Sequence, residues 1–414
     1  MPVEIKQTVR VGTRRSQLAL AQTKLAINML ELHYPNLHFV VVEISTVGDK
    51  ILDVALSKIG DKSLFTKELE VALLSEEVDF VVHSLKDVPT SIPPGLVLGC
   101  VFDRASPDDV VLMSPENRGK KLSDLPSGSI VGTSALRRVA SLQRLYPRLK
   151  FVSIRGNLNT RLKKLDEPHT HFATEDNHQK QFDHLPTKYD AIILAKAGIE
   201  RLGWSERIDQ VLSDQFYAVS QGALACECRE EDTFILSILS KLHCEPAALS
   251  SIAERALMSG LDGGCSTPIG VRSHIGSQSD EHPWLLSVVG CVMSLDGSQC
   301  VNCSLGSELP HRIPKEHELR HRAASGNSRE DSVDREISTD LAKNSFAGSS
   351  SEPKSLVNRQ INEEKSKEHK RHSCTGSDEH QASLLLQAED KLKFLDSAVS
   401  AVSLCMVFVQ VQDE

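Results

Sequence analysis

A repeated strand–turn–helix pattern constrains the fold of this chain more than any other sequence feature. In residues 132–162, two apolar strands each end in a polar turn, at 132–134 and 155–157, and a helical pattern follows each turn. A third unit of this kind occupies residues 9–33. Strands that alternate with helices through residue 220 predict an α/β architecture with mainly parallel sheets.

Arginines stand at the start of these helices, where they are unusual. Arg137 and Arg138 fall in the first turn after 132–134. Arg155 begins the second turn, and Arg161 follows it at the start of the next helix. The first turn of a helix carries partial positive charge and prefers acidic side chains. Arginines there predict an anion site of guanidinium groups, hydroxyls and backbone N–H groups, with a hydroxyl of 132–134 capping the helix. A solvated helix face is the alternative, and the anion is left open between carboxylate, phosphate and nucleic acid.

Composition narrows the function classes. The 414 residues correspond to two or three domains of ~100–200 residues each. The 47 basic and 56 acidic side chains give a net charge of −9, so the arginine cluster is local and broad nucleic-acid binding is not expected. Two Trp and four Tyr are too few for a stacking platform that binds single strands.

The cysteines and the N-terminal residues indicate a reducing compartment. Ten cysteines are scattered along the sequence, and Cys226-x-Cys228 and Cys300-x-x-Cys303 are the only close pairs. No set of His or Cys residues at zinc spacing accompanies them, so no metal site is expected. The sequence enters a strand almost at once, without an apolar signal region, and it has no run of ~18 apolar residues. We therefore expect a cytoplasmic protein that does not engage a membrane.

Asp87 is the candidate catalytic acid. It follows a predicted strand at 79–83, and ligands of open α/β sheets bind at the carboxyl ends of strands. An acid beside Lys86 could hold a cation or move a proton. The alternative is a turn aspartate that hydrogen-bonds its own backbone before Pro89. The residues alone leave both interpretations open.

Cys265 lies in a Gly-Gly-Cys-Ser-Thr-Pro turn, at residues 263–268. Glycines on one side and a proline on the other predict an exposed, fixed loop. A thiol in such a loop can be covalently attached to a group or can act as a nucleophile. The alternative, a small buried cysteine without chemistry, also stays open.

Several segments depart from the alternation of strands and helices. Residues 46–62 show little periodicity and predict a mobile loop or lid, and 168–187 read as a surface insertion. Residues 307–390 are rich in Ser, Glu, Lys, Arg, His and Asn and bury too little apolar area to offset their ordering entropy. That tract is expected to be a disordered insertion. Apolar periodicity returns in 391–414, which we expect to form a C-terminal element.

Five motifs together resemble the hydroxymethylbilane synthase (porphobilinogen deaminase) family. They stand at residues 13–16, 84–87, 132–138, 155–162 and 263–266. Each motif alone is weakly specific, but their order and spacing from about residue 9 to residue 297 resemble this family closely. Ser220 is a departure, because the family usually has glycine there, and it is expected to narrow the backbone freedom beside Gln221.

The resemblance implies an α/β fold with two domains like those of periplasmic binding proteins and a small α+β C-terminal domain. The cofactor cysteine loop is expected in the third domain. The expected boundaries are 1–103 with 221–240 for the first domain, 104–220 for the second and 241–306 for the third.

The resemblance also implies the activity. Family members condense four porphobilinogen units head to tail, release ammonia at each step and yield hydroxymethylbilane. A dipyrromethane cofactor, made from two porphobilinogens, is expected on Cys265 through a thioether. Each pyrrole carries an acetate and a propionate, which guanidinium forks bind better than lysines do. Asp87 is expected to stabilise positive charge on ring nitrogens and to assist proton movement.

The resemblance assigns further site residues. Besides Cys265, cofactor binding is expected of Lys86, Ser84, Thr133, Ser134, Arg137, Arg138, Arg155 and Gly156. Substrate binding is expected of Arg14, Ser16, Arg161, Arg201, Gln221, Phe65 and Lys62. The expected partner is the small molecule porphobilinogen, with no nucleic acid and no membrane, and the enzyme is expected to be a monomer. A non-catalytic anion-binding module of periplasmic-binding-protein type is the alternative.

Overall fold

The computed structural model describes residues 7–50, 64–167, 188–261, 267–276 and 284–309, which form three β-sheets and their helices. The strands are β1 Thr8–Arg14, β2 His38–Ile44, β3 Phe80–Ser84, β4 Leu96–Val101, β5 Asp109–Met113, β6 Ile130–Gly132, β7 Lys150–Val152, β8 Ala191–Ala195, β9 Gln210–Leu212, β10 Leu224–Arg229, β11 Ile269–Gly276, β12 Trp284–Met293 and β13 Cys300–Leu309. The helices are α1 Gln17–His33, α2 Val47–Lys50, α3 Lys67–Leu74, α4 Leu136–Leu145, α5 Leu158–Asp166, α6 Lys196–Arg201, α7 Thr233–Ser240 and α8 Glu245–Gly260.

Some predicted segments lie outside the described residues. The insertion at 168–187 and the C-terminal element at 391–414 are among them, as is the polar tract beyond residue 309. The predicted loop at 46–62 is described only to residue 50, where it begins with the short helix α2. Across the described ranges, every helix is too short or too polar to cross a bilayer.

Two five-stranded sheets share one topology. The first has the strand order β2-β1-β3-β10-β4 and the second has β7-β6-β8-β5-β9. The prediction of an α/β fold with a smaller third unit is confirmed. The expectation of mainly parallel pairing is wrong, because β10 and β5 each run antiparallel to both neighbours. A helical crossover is the connection that makes neighbouring strands parallel. Strands β5 and β10 instead enter their sheets directly from a strand of the other sheet.

Helices cover both faces of each five-stranded sheet. In the first sheet, buried residues of α1 and α7 pack against β1, β3 and β10, and those of α3 pack on the opposite face. In the second sheet, α4 covers one face, and α5 and α6 cover the other. All five residues of β5 are buried, as expected for a central strand between two helical layers.

The chain crosses between these two sheets twice. Residues 102–108 lead from β4 to β5, and residues 213–223 lead back from β9 to β10. The two crossing segments touch at Gly222, whose φ is +92° and where a Cβ would stand 2.2 Å from the carbonyl oxygen of Ala105. Glycine is required there both by the backbone conformation and by this close approach.

The third sheet is an antiparallel meander of β11, β12 and β13, packed against α8. Strand β13 begins at Cys300 and continues for ten residues to Leu309, beyond the expected domain end at 306. Ten cross-strand partners pair β12 with β13, so residues 307–309, assigned from composition to the polar tract, belong to this sheet.

A buried carboxylate of α8, the helix that packs on the third sheet, contacts both crossing segments. Glu254 of α8 is fully buried and accepts hydrogen bonds from Arg104 Nη1 at 2.7 Å and Nη2 at 3.0 Å. It also accepts from the backbone N–H of Ser220 at 2.6 Å and from Ser273 Oγ at 2.5 Å. A buried charge is tolerated when it is paired and hydrogen-bonded in this way.

Ser220 occupies a strained position in the second crossing segment. Its φ of 59° lies in the left-handed region, its side chain is fully buried, and its Oγ has no hydrogen-bond partner within the described ranges. The bond from its backbone N–H to Glu254 holds the residue in this conformation. The left-handed conformation costs a non-glycine residue about 1 kcal/mol or more.

We expect Ser220→Gly to raise the free energy of unfolding by about 1 kcal/mol, because glycine adopts a positive φ without this penalty. The midpoint of urea unfolding would measure the change. Ser220→Ala is the matched control, since it removes the buried hydroxyl and keeps the backbone strain. A glycine variant no more stable than the alanine variant would show that the backbone is not strained.

Candidate active site

A buried carboxylate held by two arginines lies at the centre of the candidate site. Asp109 begins β5 and is 3% exposed. Its Oδ2 accepts from Arg137 Nη1 at 2.7 Å, and its Oδ1 accepts from Arg138 Nη2 at 2.7 Å and from Arg137 Nη2 at 3.2 Å. Burial alone would raise the pKa of Asp109, but the charges and hydrogen bonds of Arg137 and Arg138 hold it well below its ordinary value. Asp109 is therefore ionised and fixes both guanidinium groups.

Gln221 links this cluster to the first sheet. Its Nε2 donates to Asp109 Oδ1 at 2.8 Å and to the carbonyl oxygen of Pro107 at 2.6 Å. Its Oε1 accepts from Arg137 Nη2 at 3.1 Å and lies 3.5 Å from Lys86 Nζ. The Gln221 side chain thus contacts Asp109, at the start of β5 in the second sheet, and Lys86, which follows β3 of the first sheet.

Lys86 has an amine with a strongly altered affinity for protons. Burial of the ammonium group and the positive charges of Arg138 and Arg137 lower the pKa of Lys86 to about 8, although Asp87 and Asp109 oppose this shift. A lysine in this state gains free energy from any anion that approaches it, because such an anion reduces the repulsion among the cations.

Asp87 lies at the edge of the same cluster. It ends a single 3₁₀ turn, Leu85–Asp87, that directly follows β3. Leu85 and Val88 are buried on either side, and the N–H of Leu85 donates to the carbonyl oxygen of Ala223 at 3.1 Å. These contacts fix the turn, while the Asp87 side chain is exposed and close enough to Lys86 and Arg161 to interact electrostatically with both.

Arg161 of α5 adds a second concentration of positive charge. Its Nε donates to the carbonyl oxygen of Gly156 at 2.8 Å. Burial and the neighbouring charges of Arg138 and Arg155 lower the pKa of Arg161 to about 10, and Asp87 opposes this effect. In addition, Arg138 Nε is buried and has no hydrogen-bond partner in the part of the chain that the structure describes. Such a group of guanidiniums is suited to binding carboxylates.

The turn at 132–134 differs from its prediction. Ala135 caps α4 without a side-chain hydrogen bond, so the predicted hydroxyl cap is wrong. Ser134 Oγ instead donates to the carbonyl oxygen of Ile154 and lies 3.2 Å from Ser153 Oγ, because the segment after β7 runs beside this turn. Thr133 is buried, and its backbone N–H donates to the carbonyl oxygen of Val152 at 2.9 Å.

Arg14, at the end of β1, lies beside Phe65, which shortly precedes α3. The guanidinium carbon of Arg14 stands 4.2 Å from the centre of the Phe65 ring. Arg14 Nε also donates to Asp49 Oδ2 at 3.2 Å. A carboxylate of the chain itself therefore contacts this predicted substrate-binding arginine.

Three other predicted residues have structural partners. Ser16 Oγ caps α1 by accepting from the N–H of Ala19 at 3.2 Å. Ser84 Oγ accepts from Gln22 Nε2 at 2.9 Å. Arg201 Nη2 donates to the carbonyl oxygen of Gly222 at 2.6 Å, and burial lowers the pKa of Arg201 to about 10. Two further predicted residues, Lys62 and Cys265, lie outside the described residues, and their roles stay predictions.

Asp109 is the main site residue that sequence reasoning missed. The signal was present, because Asp109 directly precedes the wholly apolar run Val-Val-Leu-Met. An acidic side chain at the start of a fully buried strand is rarely buried unless it is paired, so the position of Asp109 predicts a cationic partner. The sequence could not show that the partners are Arg137 and Arg138.

Two family models and several known proteins match this chain. A family model described as "Porphobilinogen deaminase, dipyromethane cofactor binding domain" matches residues 9–237, and one described as "Porphobilinogen deaminase, C-terminal domain" matches residues 248–309. The porphobilinogen deaminase of Gloeobacter violaceus is 49% identical over 296 residues, covering 71% of this chain and 83% of the relative. That of Synechococcus elongatus is 47% identical over 293 residues, covering 70% and 84%. Among solved structures, the periplasmic aliphatic sulphonate binding protein SsuA from Escherichia coli aligns with a TM-score of 0.30 and 16% identity over 63% of this chain and 76% of that chain.

We expect the Lys86 amine to titrate near pH 8 in the ligand-free protein, because of its burial and its cationic neighbours. Trace acetylation across a pH series, read by peptide mass spectrometry against an added lysine model peptide, would measure this. Asp87→Asn should lower the pKa of Lys86 further, because the Asp87 charge raises it. A Lys86 that titrates with the model peptide would contradict this description of the cluster.

Proposed function

The chain belongs to the porphobilinogen deaminase family, and we propose that the cluster around Asp87 is its active site. The chain accordingly condenses four porphobilinogen units head to tail, with release of ammonia, and forms hydroxymethylbilane in tetrapyrrole (haem) biosynthesis. It spans more than four-fifths of the length of both relatives described above. The alternative of a non-catalytic anion-binding module is not favoured.

The cation cluster supports a place for the dipyrromethane cofactor. The family model that matches residues 9–237 describes a domain binding this cofactor. Each of its two pyrroles carries two carboxylates, and the buried Arg138 Nε is a donor that no described residue engages. When bound, the cofactor supplies the pyrrole chain to which further units are joined. We propose that Lys86, Arg138, Arg155 and Arg161 hold carboxylates, and that Cys265 provides the covalent attachment.

The carboxylate of Asp87 beside Lys86 and Arg161 is the observation that carries the catalytic proposal. Because this carboxylate is exposed on a turn fixed by Leu85 and Val88, it can approach a ligand without rearrangement of the backbone. An ionised carboxylate can accept hydrogen bonds from pyrrole N–H groups, stabilise positive charge that develops there, and take up or release a proton.

The contacts divide the arginines into two kinds. Both terminal nitrogens of Arg137 are engaged by Asp109, Gln221 and the carbonyl oxygen of Phe216. Those of Arg138 donate to Asp109 and to the carbonyl oxygen of Ile193, which leaves its Nε without a partner among the described residues. We propose that Arg137 positions the site and does not itself bind a carboxylate of the cofactor. Arg161, which repels Arg138 and Arg155 and faces Asp87, is the better candidate for a carboxylate of the lengthening chain. Asp109 is then a positioning residue that orients Arg137 and Arg138 before any ligand arrives.

We further propose that the enzyme works as a cytoplasmic monomer on a small-molecule substrate, without nucleic acid. The net charge of −9 supports the last point. The expected domains at 1–103 with 221–240, 104–220 and 241–306 are also a proposal. Its support is that the strands of the first two sheets fall within the first two of these sets. Light scattering coupled to size-exclusion chromatography would test the monomer.

We expect Asp87→Ala to lower turnover of porphobilinogen by about 10²-fold or more while the protein stays folded, because the variant lacks the group that stabilises charge and moves protons. Product would be measured as porphyrin absorbance after oxidation, and thermal unfolding would report on the fold. Asp214→Ala, at an exposed turn, is the matched control and should keep full activity. Normal turnover in the Asp87 variant would end the assignment.

We expect Cys265→Ser to yield protein without the covalent dipyrromethane, because a serine hydroxyl cannot form the thioether. Intact-mass spectrometry would show the missing mass, and Ehrlich's reagent would leave the variant uncoloured. Cys303→Ser, which alters a half-buried thiol of the third sheet, should keep both the mass and the colour. Retention of the cofactor by the Cys265 variant would place the attachment elsewhere.

A further inference from the structure

Two thiols of the third sheet lie within hydrogen-bonding distance of each other. Cys291 Sγ of β12 and Cys300 Sγ of β13 are 3.2 Å apart. Cys291 pairs with Asn302 and Met293 pairs with Cys300, so the two cysteines are diagonal neighbours on one face of the sheet. Cys291 is fully buried in a small cluster with Ala140 of α4, and Cys300 is half-buried at its edge.

The structure disfavours the thiol pair that the sequence brings closest. Cys300 and Cys303 are three residues apart within the continuous strand β13, so their side chains point to opposite faces of the sheet. Cys303 stands opposite Gly290 and thus on the face away from Cys291. Cys300 is therefore positioned to react with Cys291 and not with Cys303.

The turn between the two strands is held firmly. Gln299 N donates to Ser294 Oγ at 2.9 Å, and Ser298 N donates to Asp296 Oδ1 at 3.0 Å. At Gly297, whose φ is +72°, a Cβ would stand 2.1 Å from the carbonyl oxygen of Ala140, so the turn packs directly on α4. Because these contacts fix the turn next to both cysteines, the two sulfurs are held close together before any reaction.

We propose that Cys291 and Cys300 form an oxidant-sensitive site that hydrogen peroxide converts to a disulfide. The Cys300 thiolate attacks one peroxide oxygen and the O–O bond breaks. The released hydroxide takes up the proton that the Cys300 thiol gave up and leaves as water. Cys300 is then a sulfenic acid. The sulfur of Cys291 attacks the sulfur of Cys300, the S–O bond breaks, and the Cys291 proton leaves with the hydroxyl as a second water. A small thiol reductant reverses the change by thiol–disulfide exchange.

The surroundings of the two thiols decide which reacts first. The hydrogen bond with Cys300 and burial raise the pKa of Cys291, so Cys291 keeps its proton. Cys300 is half-buried and is therefore the sulfur that hydrogen peroxide reaches first. Cys291, already in contact with it, then acts as the resolving thiol.

The test uses the full-length protein treated with hydrogen peroxide, alkylated and cleaved before aspartate. Cleavage before Asp296 separates Cys291 from Cys300 and Cys303, so a disulfide between the two strands joins two peptides. We expect that cross-linked pair in the wild type and in Cys303→Ser, the matched control, and its loss in Cys300→Ser. In Cys291→Ser we expect Cys300 to accumulate as a sulfenic acid that dimedone traps.

Two results would overturn the proposal. One is a wild-type protein that forms no disulfide between these peptides at peroxide concentrations that oxidise the Cys291→Ser variant. The other is a cross-link that survives in Cys300→Ser and disappears in Cys303→Ser, which would assign the bond to Cys303.

Discussion

The burial of Asp109 between two arginines is the interaction on which the site depends. A carboxylate at the start of a wholly buried strand would be strongly unfavourable alone, and loss of one partner from such a pair typically costs about 3–5 kcal/mol. Arg137 and Arg138 meet this requirement from successive positions of α4. The same contacts hold α4 against β5 and orient the cations of the site in the absence of a ligand.

Three successive residues of the second crossing segment connect the parts of the molecule. The backbone N–H of Ser220 binds Glu254 of α8, and the side chain of Gln221 binds Asp109. The carbonyl oxygen of Gly222 accepts a hydrogen bond from Arg201 of α6. This short stretch therefore fixes the third unit, the cation cluster and α6 at once, which gives a physical reason for its strained backbone.

Among the described residues, the positive charges of Lys86 and Arg161 are only partly offset by Asp87. Burial and the positive charges of neighbouring arginines lower the pKa values of Lys86 and Arg161, and Asp87 opposes both shifts. A substrate and product rich in carboxylates would supply the missing negative charge. The contrast with Arg137 and Arg14, which already contact Asp109 and Asp49, separates arginines that build the site from arginines suited to binding a ligand.

Local sequence determined much of this protein. The strand–turn–helix units, the place of Asp87 after β3 and the cap of α1 by Ser16 all depend on residues close together in the chain, and the five motifs identified the family. Tertiary structure decided the rest. The antiparallel entry of β5 and β10 depends on the two crossings between sheets. The partners of Asp109 lie 28 and 112 residues away, at Arg137 and Gln221, and the hydroxyl of Ser134 is engaged by Ile154 and not by its own helix. Periodicity and turn chemistry act over a few residues, whereas a buried charge is paired by whichever partner the long-range packing brings to it.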